Sequence, residues 1–467
     1  MSNTEFDLVI IGSGPAGYVG AIRASQLGLK VAIVEKDKTL GGTCLNVGCI
    51  PSKALLESSE HFLQANHSLA EHGVDIGSVK LNLGNLMARK NKIVGELTDG
   101  VDYLMKKNKV EKFNGWGEVL SKNEVQVTGD KTTVLKAKNI MLATGSIPSS
   151  LPGLDYNGTN IISSTEALSL PQVPKELLVI GAGAIGLEMG SVWMRLGSNV
   201  TVLEYGDKIC GPMDKSTSKR LQQILKKQGM NFITGAKVTG AKASKSSVEL
   251  TYEKLKDGSE QKISGDIVLV SAGRVPFSDK LGLDKLGIEK DKRGFVQVND
   301  HYQTKYPSIY AVGDLIPGPM LAHKAEEEAV AVAEIIAGQS GHVNYLTVPS
   351  VIYTDPEVAS VGYTEEELKE QGIPYKAGSF PFTANGRAKA LGQTDGQVKI
   401  LAHKETDQIL GGHIVGPRAG DLLTEVVVCM EFGGSAEDLA RSFHAHPTLS
   451  EVVREAALNV DKNARQM

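Results

Sequence analysis

An internal repeat constrains this 467-residue chain more than any other feature of its sequence. Residues 6–11 (FDLVII) predict a buried strand, followed by a G-x-G-x-x-G turn, a helical run and a second strand that closes on Glu35. The same order returns after LLVI at 177–180, where the second strand closes on Glu204. Equivalent positions lie 169 residues apart, as in 204 − 35 = 169. The chain is therefore predicted to contain two βαβ units.

Each glycine of the two turns has a physical task. The first turns the chain from strand to helix, the second lets a pyrophosphate approach the backbone, and the third lets helix and strand pack closely. The helix N-terminus offers N–H groups to the phosphates, and the acid at the strand end can bind ribose hydroxyls. One such motif is a weak signal and could be a structural turn, but two in the same context predict two dinucleotide sites. The predicted contacts are Gly12, Gly14, Gly17 and Glu35 in the first copy and Gly181, Gly183, Gly186 and Glu204 in the second.

Two dinucleotide sites in one chain suggest FAD and a nicotinamide nucleotide. The carboxylate of Glu204 would repel a 2′-phosphate, and residues 205–208 (YGDK) contain no arginine to receive one. The second site is therefore predicted to bind NAD rather than NADP.

Composition sets the outer limits. The length predicts three or four domains, and the net charge of −4 argues against a broad basic surface for nucleic acid. The sequence contains no run of about 18 apolar residues, so no membrane-spanning helix is predicted. The start, MSNTEFDLVIIG, has no leader pattern, so we expect a cytoplasmic protein; a matrix protein after leader removal would have the same pattern. No metal site is predicted.

Four cysteines in so long a chain do not form a disulfide scaffold. Cys44 and Cys49 stand five apart within 41–53 (GGTCLNVGCIPSK). On a regular helix their Cα atoms would be about 8–9 Å apart, whereas a disulfide needs roughly 4.4–6.8 Å. Pairing would require a distortion, for which Gly48 supplies backbone freedom; two buried free thiols are the alternative. The remaining cysteines are expected to be structural: Cys210 and Cys429.

The cysteine segment after an FAD-type turn resembles the pyridine nucleotide–disulfide oxidoreductases. The resemblance continues with ATG at 143–145, AVGD at 311–314 and HAHPTLSE at 444–451, and it covers essentially the whole chain. PSKALL after the second cysteine, MLAHKAEEE at 320–328 and HAHPTLSE resemble the dihydrolipoyl dehydrogenase branch of that family.

The resemblance implies an α/β fold with two Rossmann-like dinucleotide-binding domains and an α+β C-terminal dimerisation domain. GDIVLVSAGRVP at 265–276 is predicted to be a strand that closes the second domain, and IYAVGDL at 309–315 a strand that ends at an acid. The implied domains are an FAD-binding domain at 1–145, an NAD-binding domain at 146–272, a central domain at 273–345 that completes the FAD site, and an interface domain at 346–467.

In the family, the first cysteine exchanges with substrate and the second lies against the flavin, which gives these roles to Cys44 and Cys49. Because the thiolate is the reactive species, both pKa values are expected to be lowered by nearby positive charge or dipoles. By analogy Lys53 lies near flavin N5 and pairs with Glu188. The alternatives are a solvated lysine and an exposed helical glutamate.

The reaction also needs a base, because dihydrolipoamide thiols are protonated near neutral pH. His446 can take that proton, and Glu451 could hold its imidazole in one tautomer. An alternative interpretation is that Thr448 and Glu451 form a capping box before an apolar helix. His444 is expected to be a supporting or structural residue. The resemblance places the base across a homodimer interface, opposite the partner's cysteines.

The remaining FAD and NAD contacts rest mainly on the resemblance. Asp314 is expected to bind the ribityl chain and 320–323 to lie along FAD, with turn and cap roles as alternatives. The assigned residues are Gly117, Thr144, Gly145, Ser146, Val238, Gly273, Asp314, Met320, Leu321, Ala322 and His323.

The implied activity is oxidation of protein-bound dihydrolipoamide to lipoamide with reduction of NAD+ to NADH, through a Cys44–Cys49 disulfide and FAD. The implied partners are lipoyl domains of 2-oxo acid dehydrogenase complexes, the glycine cleavage H protein, or both. A glutathione reductase-like enzyme would use NADPH, which Glu204 disfavours. A non-catalytic flavin-binding scaffold is the alternative from another class.

Overall fold

The computed structural model describes residues 4–466, in which parallel and antiparallel sheets alternate with helices along the chain. The strands are β1 (Glu5–Ile11), β2 (Val31–Glu35), β3 (Glu111–Asn114), β4 (Trp116–Ser121), β5 (Glu124–Thr128), β6 (Thr132–Leu142), β7 (Ser146–Pro148), β8 (Ile161–Ile162), β9 (Glu176–Ile180), β10 (Asn199–Glu204), β11 (Asn231–Thr234), β12 (Ala236–Ala243), β13 (Val248–Lys254), β14 (Glu260–Gly265), β15 (Ile267–Val270), β16 (Arg274–Pro276), β17 (Ile309–Ala311), β18 (Ser350–Ile352), β19 (Glu357–Gly362), β20 (Tyr375–Pro381), β21 (Gln397–His403) and β22 (Ile409–Gly416).

The helices separate these strands. They are α1 (Pro15–Gln26), α2 (Gly42–Val47), α3 (Cys49–His67), α4 (Leu83–Lys107), α5 (Ser164–Ala167), α6 (Ala184–Arg195), α7 (Lys215–Lys227), α8 (Ala322–Ile336), α9 (Glu365–Glu370), α10 (Gly386–Leu391), α11 (Ala419–Glu431), α12 (Ala436–Arg441) and α13 (Glu451–Asn459). Short 3-10 turns lie at Leu69–His72, Gly313–Leu315, Tyr345–Thr347 and Phe382–Ala384. No helix among residues 4–466 is both long and apolar enough to cross a membrane.

The chain folds into two compact units. The first combines Met1–Leu55, Asn82–Ser149 and Gly273–Val343, and the second combines Leu56–Leu81, Ser150–Ala272 and Asn344–Met467. The finer division into four domains stays a prediction.

The first unit is built on a seven-stranded sheet in the order β3-β2-β1-β6-β5-β4, with β17 paired to β6. Strands β1, β2, β3, β6 and β17 run parallel, whereas β4 and β5 form an antiparallel extension. Five of the seven residues of β1 are apolar and buried, including four in succession, which is usual for a parallel strand covered on both faces. Helix α1 connects β1 to β2, and helix α8 packs so closely on it that a Cβ at Gly20 would lie 2.9 Å from Cβ of Ala329.

The second unit repeats the same motif in a five-stranded parallel sheet of order β11-β10-β9-β15-β8. Helix α6 begins and ends 169 residues after α1, at 184 against 15 and 195 against 26. The repeat predicted from the glycines and acids is confirmed. Two antiparallel sheets complete this unit, in the orders β12-β13-β14 and β18-β19-β22-β21-β20.

Two strand predictions were too long. Residues 265–276 divide into β15, in the second unit, and β16, which pairs with β7 in the first. The break comes at Gly273, whose φ of +120° is incompatible with a continuous strand. Strand β17 ends at Ala311, and Asp314 lies in the following 3-10 turn, which Gly313 enters with φ of +71°.

Candidate active site

The first glycine-rich turn is crowded at two positions and open at one. A Cβ at Gly12 would lie 2.4 Å from the carbonyl oxygen of Ala143, and one at Gly17 would lie 2.0 Å from that of Gly12. The chain's own packing therefore requires both glycines. A Cβ at Gly14 would find its nearest neighbour, Cα of Gly42, at 4.0 Å. Packing does not require Gly14, so the space above it is free for a ligand.

The second turn repeats this pattern. A Cβ would lie 2.6 Å from the carbonyl oxygen of Ser271 at Gly181 and 2.1 Å from that of Gly181 at Gly186, but at Gly183 nothing lies within 4 Å. Gly14 and Gly183 are the N-caps of α1 and α6, and neither helix start is capped by a side chain. Open space before uncapped first-turn N–H groups fits a pyrophosphate at each turn.

The acids at the two strand ends also correspond. Glu35 accepts hydrogen bonds from the backbone N–H of Ser13 (2.9 Å) and Asp37 (2.9 Å). Glu204 accepts from the equivalent N–H groups of Ala182 (2.7 Å) and Gly206 (2.7 Å). Both carboxylates are thereby held beside the glycine turn, where their remaining lone pairs suit ribose hydroxyls.

A hydrogen-bonded chain leads to Asp314 in the first unit. Ser146 donates from Oγ to Oδ2 of Asp314 at 2.5 Å, while Arg274 donates to Oγ (2.7 Å) and to the carbonyl oxygen (2.6 Å) of Ser146. The hydroxyl of Thr144 donates to the carbonyl of Phe277 at 2.6 Å. Arg274 was not predicted from the sequence, although it directly follows the assigned Gly273.

A buried ion pair holds the peptide next to Asp314. Nζ of Lys324 lies 3.0 Å from Oε1 of Glu328, and both side chains are 0% exposed. Glu328 accepts from the N–H of Gly313 at 2.7 Å, and Lys324 donates to the Gly313 carbonyl at 3.1 Å. Residues 320–323 lie at the start of α8, whose N-cap, Leu321, makes no side-chain capping bond.

The other assigned contacts have mixed settings. Gly117 lies in β4, where a Cβ would meet Cγ2 of Ile11 at 2.9 Å, so packing alone accounts for this glycine. Gly145 adopts φ of +70° after β6, and Val238 stands at an irregularity in β12. No ligand role follows from these placements.

The redox cysteines lie on either side of a helix break. Helix α2 ends at Val47, Gly48 adopts φ −144° and ψ −115°, and α3 begins at Cys49. The distortion predicted at Gly48 is present, and it brings the side chains of Cys44 and Cys49 into hydrogen-bond contact. All four cysteines are free thiols here.

The expected lowering of both cysteine pKa values is wrong for Cys44. The hydrogen bond and charge of Cys49, burial and the charge of Glu326 all raise the pKa of Cys44. The phenol of Tyr18 donates to Glu326 at 3.4 Å, and burial together with this carboxylate raises the pKa of Tyr18 to about 12. The surroundings of Cys44 therefore oppose its ionisation rather than favour it.

Lys53 lies half-buried in α3 of the first unit, four residues after Cys49. Glu188 lies in α6 of the second unit, is only 4% exposed, and accepts from the N–H of Tyr353 at 3.1 Å. Burial excludes the exposed-helix alternative for Glu188. Pairing of the two residues stays a prediction.

The proposed base and its acid are together in the second unit. Nδ1 of His446 lies 3.0 and 3.2 Å from the two carboxylate oxygens of Glu451. Burial raises the pKa of Glu451, but the N–H of Thr448 at 3.0 Å and His446 outweigh it and lower the pKa. The predicted capping box is wrong, because Thr448 is not the N-cap of α13. The helix begins at Glu451, and the Thr448 hydroxyl donates to the Ala445 carbonyl at 2.7 Å instead of capping the helix. The imidazole of His446 is 75% exposed.

The other two cysteines have structural settings. Cys210 is buried, and burial raises its pKa to about 12. Cys429 is half-buried in α11, 3.8 Å from the carbonyl oxygen of Ser435.

Comparison with protein families decides the classification. The model described as pyridine nucleotide-disulphide oxidoreductase matches residues 6–329, and the dimerisation domain of that family matches residues 348–457. The chain belongs to the pyridine nucleotide-disulphide oxidoreductase family. The matched dimerisation domain supports a homodimer for this oxidoreductase.

Curated relatives match this oxidoreductase over nearly its whole length. Dihydrolipoyl dehydrogenase 1, mitochondrial, of Arabidopsis thaliana is 54% identical over 97% of this chain and 90% of its own. Leghemoglobin reductase of Glycine max is 53% identical, with coverages of 97% and 87%. Dihydrolipoyl dehydrogenase, mitochondrial, of Bos taurus is 52% identical, with coverages of 97% and 90%.

Solved structures share the fold of this oxidoreductase. LpdA from Mycobacterium tuberculosis superposes with a TM-score of 0.89 at 25% identity, covering 97% of this chain and 99% of its own. The flavoprotein disulfide reductase RclA from Escherichia coli gives a TM-score of 0.85 at 24% identity, with the same coverages, and shows the fold alone. The predicted fold class is confirmed: two Rossmann-like folds with a C-terminal domain.

Proposed function

We propose that this chain is an FAD- and NAD-dependent enzyme that oxidises protein-bound dihydrolipoamide to lipoamide. The observation that carries the proposal is the thiol pair beside the first dinucleotide turn. Cys44 and Cys49 are in hydrogen-bond contact across the break at Gly48, and Gly41 donates to the Ser13 carbonyl at 3.0 Å. A disulfide can thus form and open there next to a flavin. Relatives named dihydrolipoyl dehydrogenase at 52–54% identity support the same substrate.

The first step is proton transfer to the base. A hydrogen bond from Nδ1 of His446 to Glu451 leaves Nε2 free to accept the proton of a dihydrolipoamide thiol. The carboxylate of Glu451 thereby holds the imidazole in the tautomer that presents Nε2 to the substrate. Such a base contributes about 10²- to 10⁴-fold in rate.

The second step is thiol–disulfide exchange. The substrate thiolate attacks Sγ of Cys44, the Cys44–Cys49 bond breaks, and Cys49 leaves as the thiolate. The second substrate thiol then displaces Cys44, which releases lipoamide and leaves the enzyme with two reduced cysteines. FAD and NAD+, when bound at the two glycine turns, would supply the acceptors for this electron pair.

The proposed role of His446 as the base depends on homodimerisation. The base of one protomer would serve the cysteines of its partner, and the exposed imidazole is available for such a role. We propose lipoyl domains of 2-oxo acid dehydrogenase complexes, the glycine cleavage H protein, or both as the protein partners. A cytoplasmic location is part of the proposal, with the mitochondrial matrix as its alternative because several relatives are named as mitochondrial.

The test is to mix the purified yellow protein anaerobically with dihydrolipoamide, record its visible spectrum, and then add NAD+ or NADP+. We expect a long-wavelength charge-transfer band that is absent in Cys49→Ser, and reduction of NAD+ but not of NADP+. Cys429→Ser is the matched control and should retain both signals.

The alternatives give different results. Reduction by NADPH but not by dihydrolipoamide would indicate a glutathione reductase-like enzyme. If neither donor reduced the flavin, the result would favour the hypothesis of a non-catalytic flavin-binding scaffold. His446→Gln should lose about 10²- to 10⁴-fold in kcat with dihydrolipoamide.

A further inference from the structure

The loop between α12 and α13 carries His446 but offers it few fixed contacts. Phe443 points its ring fully into solvent, and the imidazole of His446 is held through one edge by Glu451. The intervening His444 behaves differently, since its side chain is only 5% exposed. It attaches this part of the loop to α11, the helix that packs on β22 and β19.

Both ring nitrogens of His444 face proton acceptors. Nδ1 lies 2.9 Å from the carbonyl oxygen of Ser442, and Nε2 lies 3.1 Å from Oε2 of Glu425. A carbonyl and a carboxylate have no proton to give, so both nitrogens must donate. Only the imidazolium carries two N–H groups. An imidazolium at His444 satisfies both contacts at once.

The surrounding charges act in both directions. The hydrogen bond to Glu425 of α11 is the largest influence and raises the pKa of His444, whereas burial and Arg454 of α13 oppose it. The contact with Ser442 in the loop itself also favours the cation. The net direction is upward, in agreement with the geometry.

We propose that the His444⁺–Glu425⁻ pair is a positioning device that fixes the loop so that His446 meets the substrate thiol at the correct distance and angle. The inference rests on the proposed function. His444 stands two residues before the base, so release of its ring loosens the backbone on the N-terminal side of His446, while Thr448 holds the other side. A displacement of about 1 Å can cost about 10²-fold in rate when a catalytic group must reach a defined atom.

The pair makes the alignment depend on pH. A group with a raised folded-state pKa holds its proton below that pKa, so the anchor is intact at acidic and neutral pH. As the pH rises through the folded-state pKa of His444, one of its two hydrogen bonds is lost and the loop is released. The alkaline side of the kcat profile should therefore include this loss.

The test uses His444→Gln and Glu425→Gln in the full-length holoenzyme, with Glu437→Gln as the matched control. Glu437 forms an exposed pair with Arg441 within α12 at 2.6 Å. Two activities are measured across pH: NAD+ reduction by dihydrolipoamide, and ferricyanide reduction by NADH, which needs neither the thiol pair nor the base.

We expect His444→Gln to lower kcat with dihydrolipoamide by about tenfold or more while ferricyanide reduction is unchanged. Glu425→Gln should move the alkaline limb of the dihydrolipoamide profile to lower pH, because a neutral partner no longer favours the cation. Glu437→Gln should match the wild type in both assays.

Wild-type kcat and pH profile in both test variants would overturn the inference. A parallel fall of both activities would also overturn it, since it would indicate a general loss of structure. If His444→Gln fails to fold, an unmoved alkaline limb in Glu425→Gln is sufficient to reject the inference. Absence of dihydrolipoamide oxidation in the wild type would instead refute the proposed function.

Discussion

The two βαβ units share the same strand–turn–helix–strand motif but differ in how deeply the glutamate at the end of the second strand is buried. In the first, the hydroxyl of Ser13 donates to Glu35 at 2.6 Å in addition to the two backbone bonds, and Glu35 is buried. In the second, Ala182 replaces the serine, Glu204 is half-buried, and the neighbouring Tyr205 is 64% exposed. A closed site suits a cofactor that stays bound, and an open one suits a cofactor that exchanges.

The surroundings of the first turn strengthen this contrast. Asp314 is held by Ser146 and Arg274, and the peptide before it is held by Lys324 and Glu328. The predicted flavin site would thus be assembled from segments far apart in sequence, whereas the motif of the second site lies largely within one βαβ unit. Loss of FAD should therefore accompany damage to distant residues, while loss of NAD affinity should follow local changes.

The largest expected effect tests the part that the two units share. In Gly17→Ala and Gly186→Ala, the new methyl group would lie 2.0 and 2.1 Å from a backbone oxygen. Because the oxygen belongs to the strand–helix turn, it cannot move without breaking the motif. We expect each variant to lose more than about 3 kcal/mol of unfolding free energy, above the usual range for overpacking.

Chemical denaturation measures this loss. Gly95→Ala in α4 is the control, since nothing lies within 4 Å of its Cβ, and it should be neutral or slightly stabilising. Equal stability of Gly17→Ala and Gly95→Ala would show that the third glycine is not required for packing.

The next effect compares a buried ion pair in each unit. Lys399 lies 2.8 Å from Asp214 in the second unit, as Lys324 lies 3.0 Å from Glu328 in the first. Removing one partner leaves a buried charge, so Lys399→Met and Lys324→Met should each cost about 3–5 kcal/mol. Only Lys324→Met should also speed FAD release, because only its pair holds the Gly313 peptide beside Asp314. Denaturation and flavin fluorescence on dilution separate the two outcomes.

The second-unit pair also predicts how stability depends on pH. Burial raises the pKa values of Asp214 and Glu365, but hydrogen bonds from Lys399 outweigh it and hold that of Glu365 at about 2 and that of Asp214 lower still. Groups with lowered folded-state pKa values stabilise the fold above their unfolded values near 4 and lose that contribution as the pH falls. The stability deficit of Lys399→Met should therefore be largest at neutral pH and should shrink as the pH falls below about 4, which unfolding free energies measured across pH will show; a deficit that does not change with pH would contradict this account.

The third effect separates the two cofactors. At Gly14 and Gly183 an added methyl group meets no protein atom closer than 4.0 Å, and both residues have negative φ, so alanine fits the fold. The methyl group would instead occupy the space of the pyrophosphate. We expect Gly14→Ala to purify depleted of FAD and Gly183→Ala to stay yellow with KM for NAD+ raised about 10- to 100-fold, equal to about 1.4–2.8 kcal/mol. Retention of full FAD and NAD affinity in both variants would exclude the turns as pyrophosphate sites.

The sequence predicted these units well because glycine and acid positions report local backbone geometry. It also predicted the break at Gly48 and the contact between His446 and Glu451, each within a few residues of chain. It missed Arg274, whose bond to Ser146 depends on the pairing of β16 with β7.

The sequence also did not predict the charges that surround Cys44. The raised pKa of Cys44 depends partly on Glu326, which only the tertiary fold brings near. Helix α13 begins at Glu451, not directly after Thr448 as a capping box would require. Glu451 accepts hydrogen bonds from His446 and from the Thr448 N–H, and the capping motif in the sequence does not predict this arrangement. Glu326 is distant from Cys44 in sequence, so its effect on the Cys44 pKa could not be predicted from the local pattern.

The smallest effect concerns cofactor choice in the open unit. Glu204→Gln keeps one acceptor for the backbone N–H groups but removes the charge that disfavours a 2′-phosphate. KM for NAD+ should rise about tenfold, the loss of one hydrogen bond to a charged group, while KM for NADP+ falls. Asp207→Asn is the matched control, because it removes the same charge from an exposed neighbour three residues on. If both variants changed the NAD+ to NADP+ preference equally, the preference would arise from the general field at this strand end rather than from contact of Glu204 with the ribose.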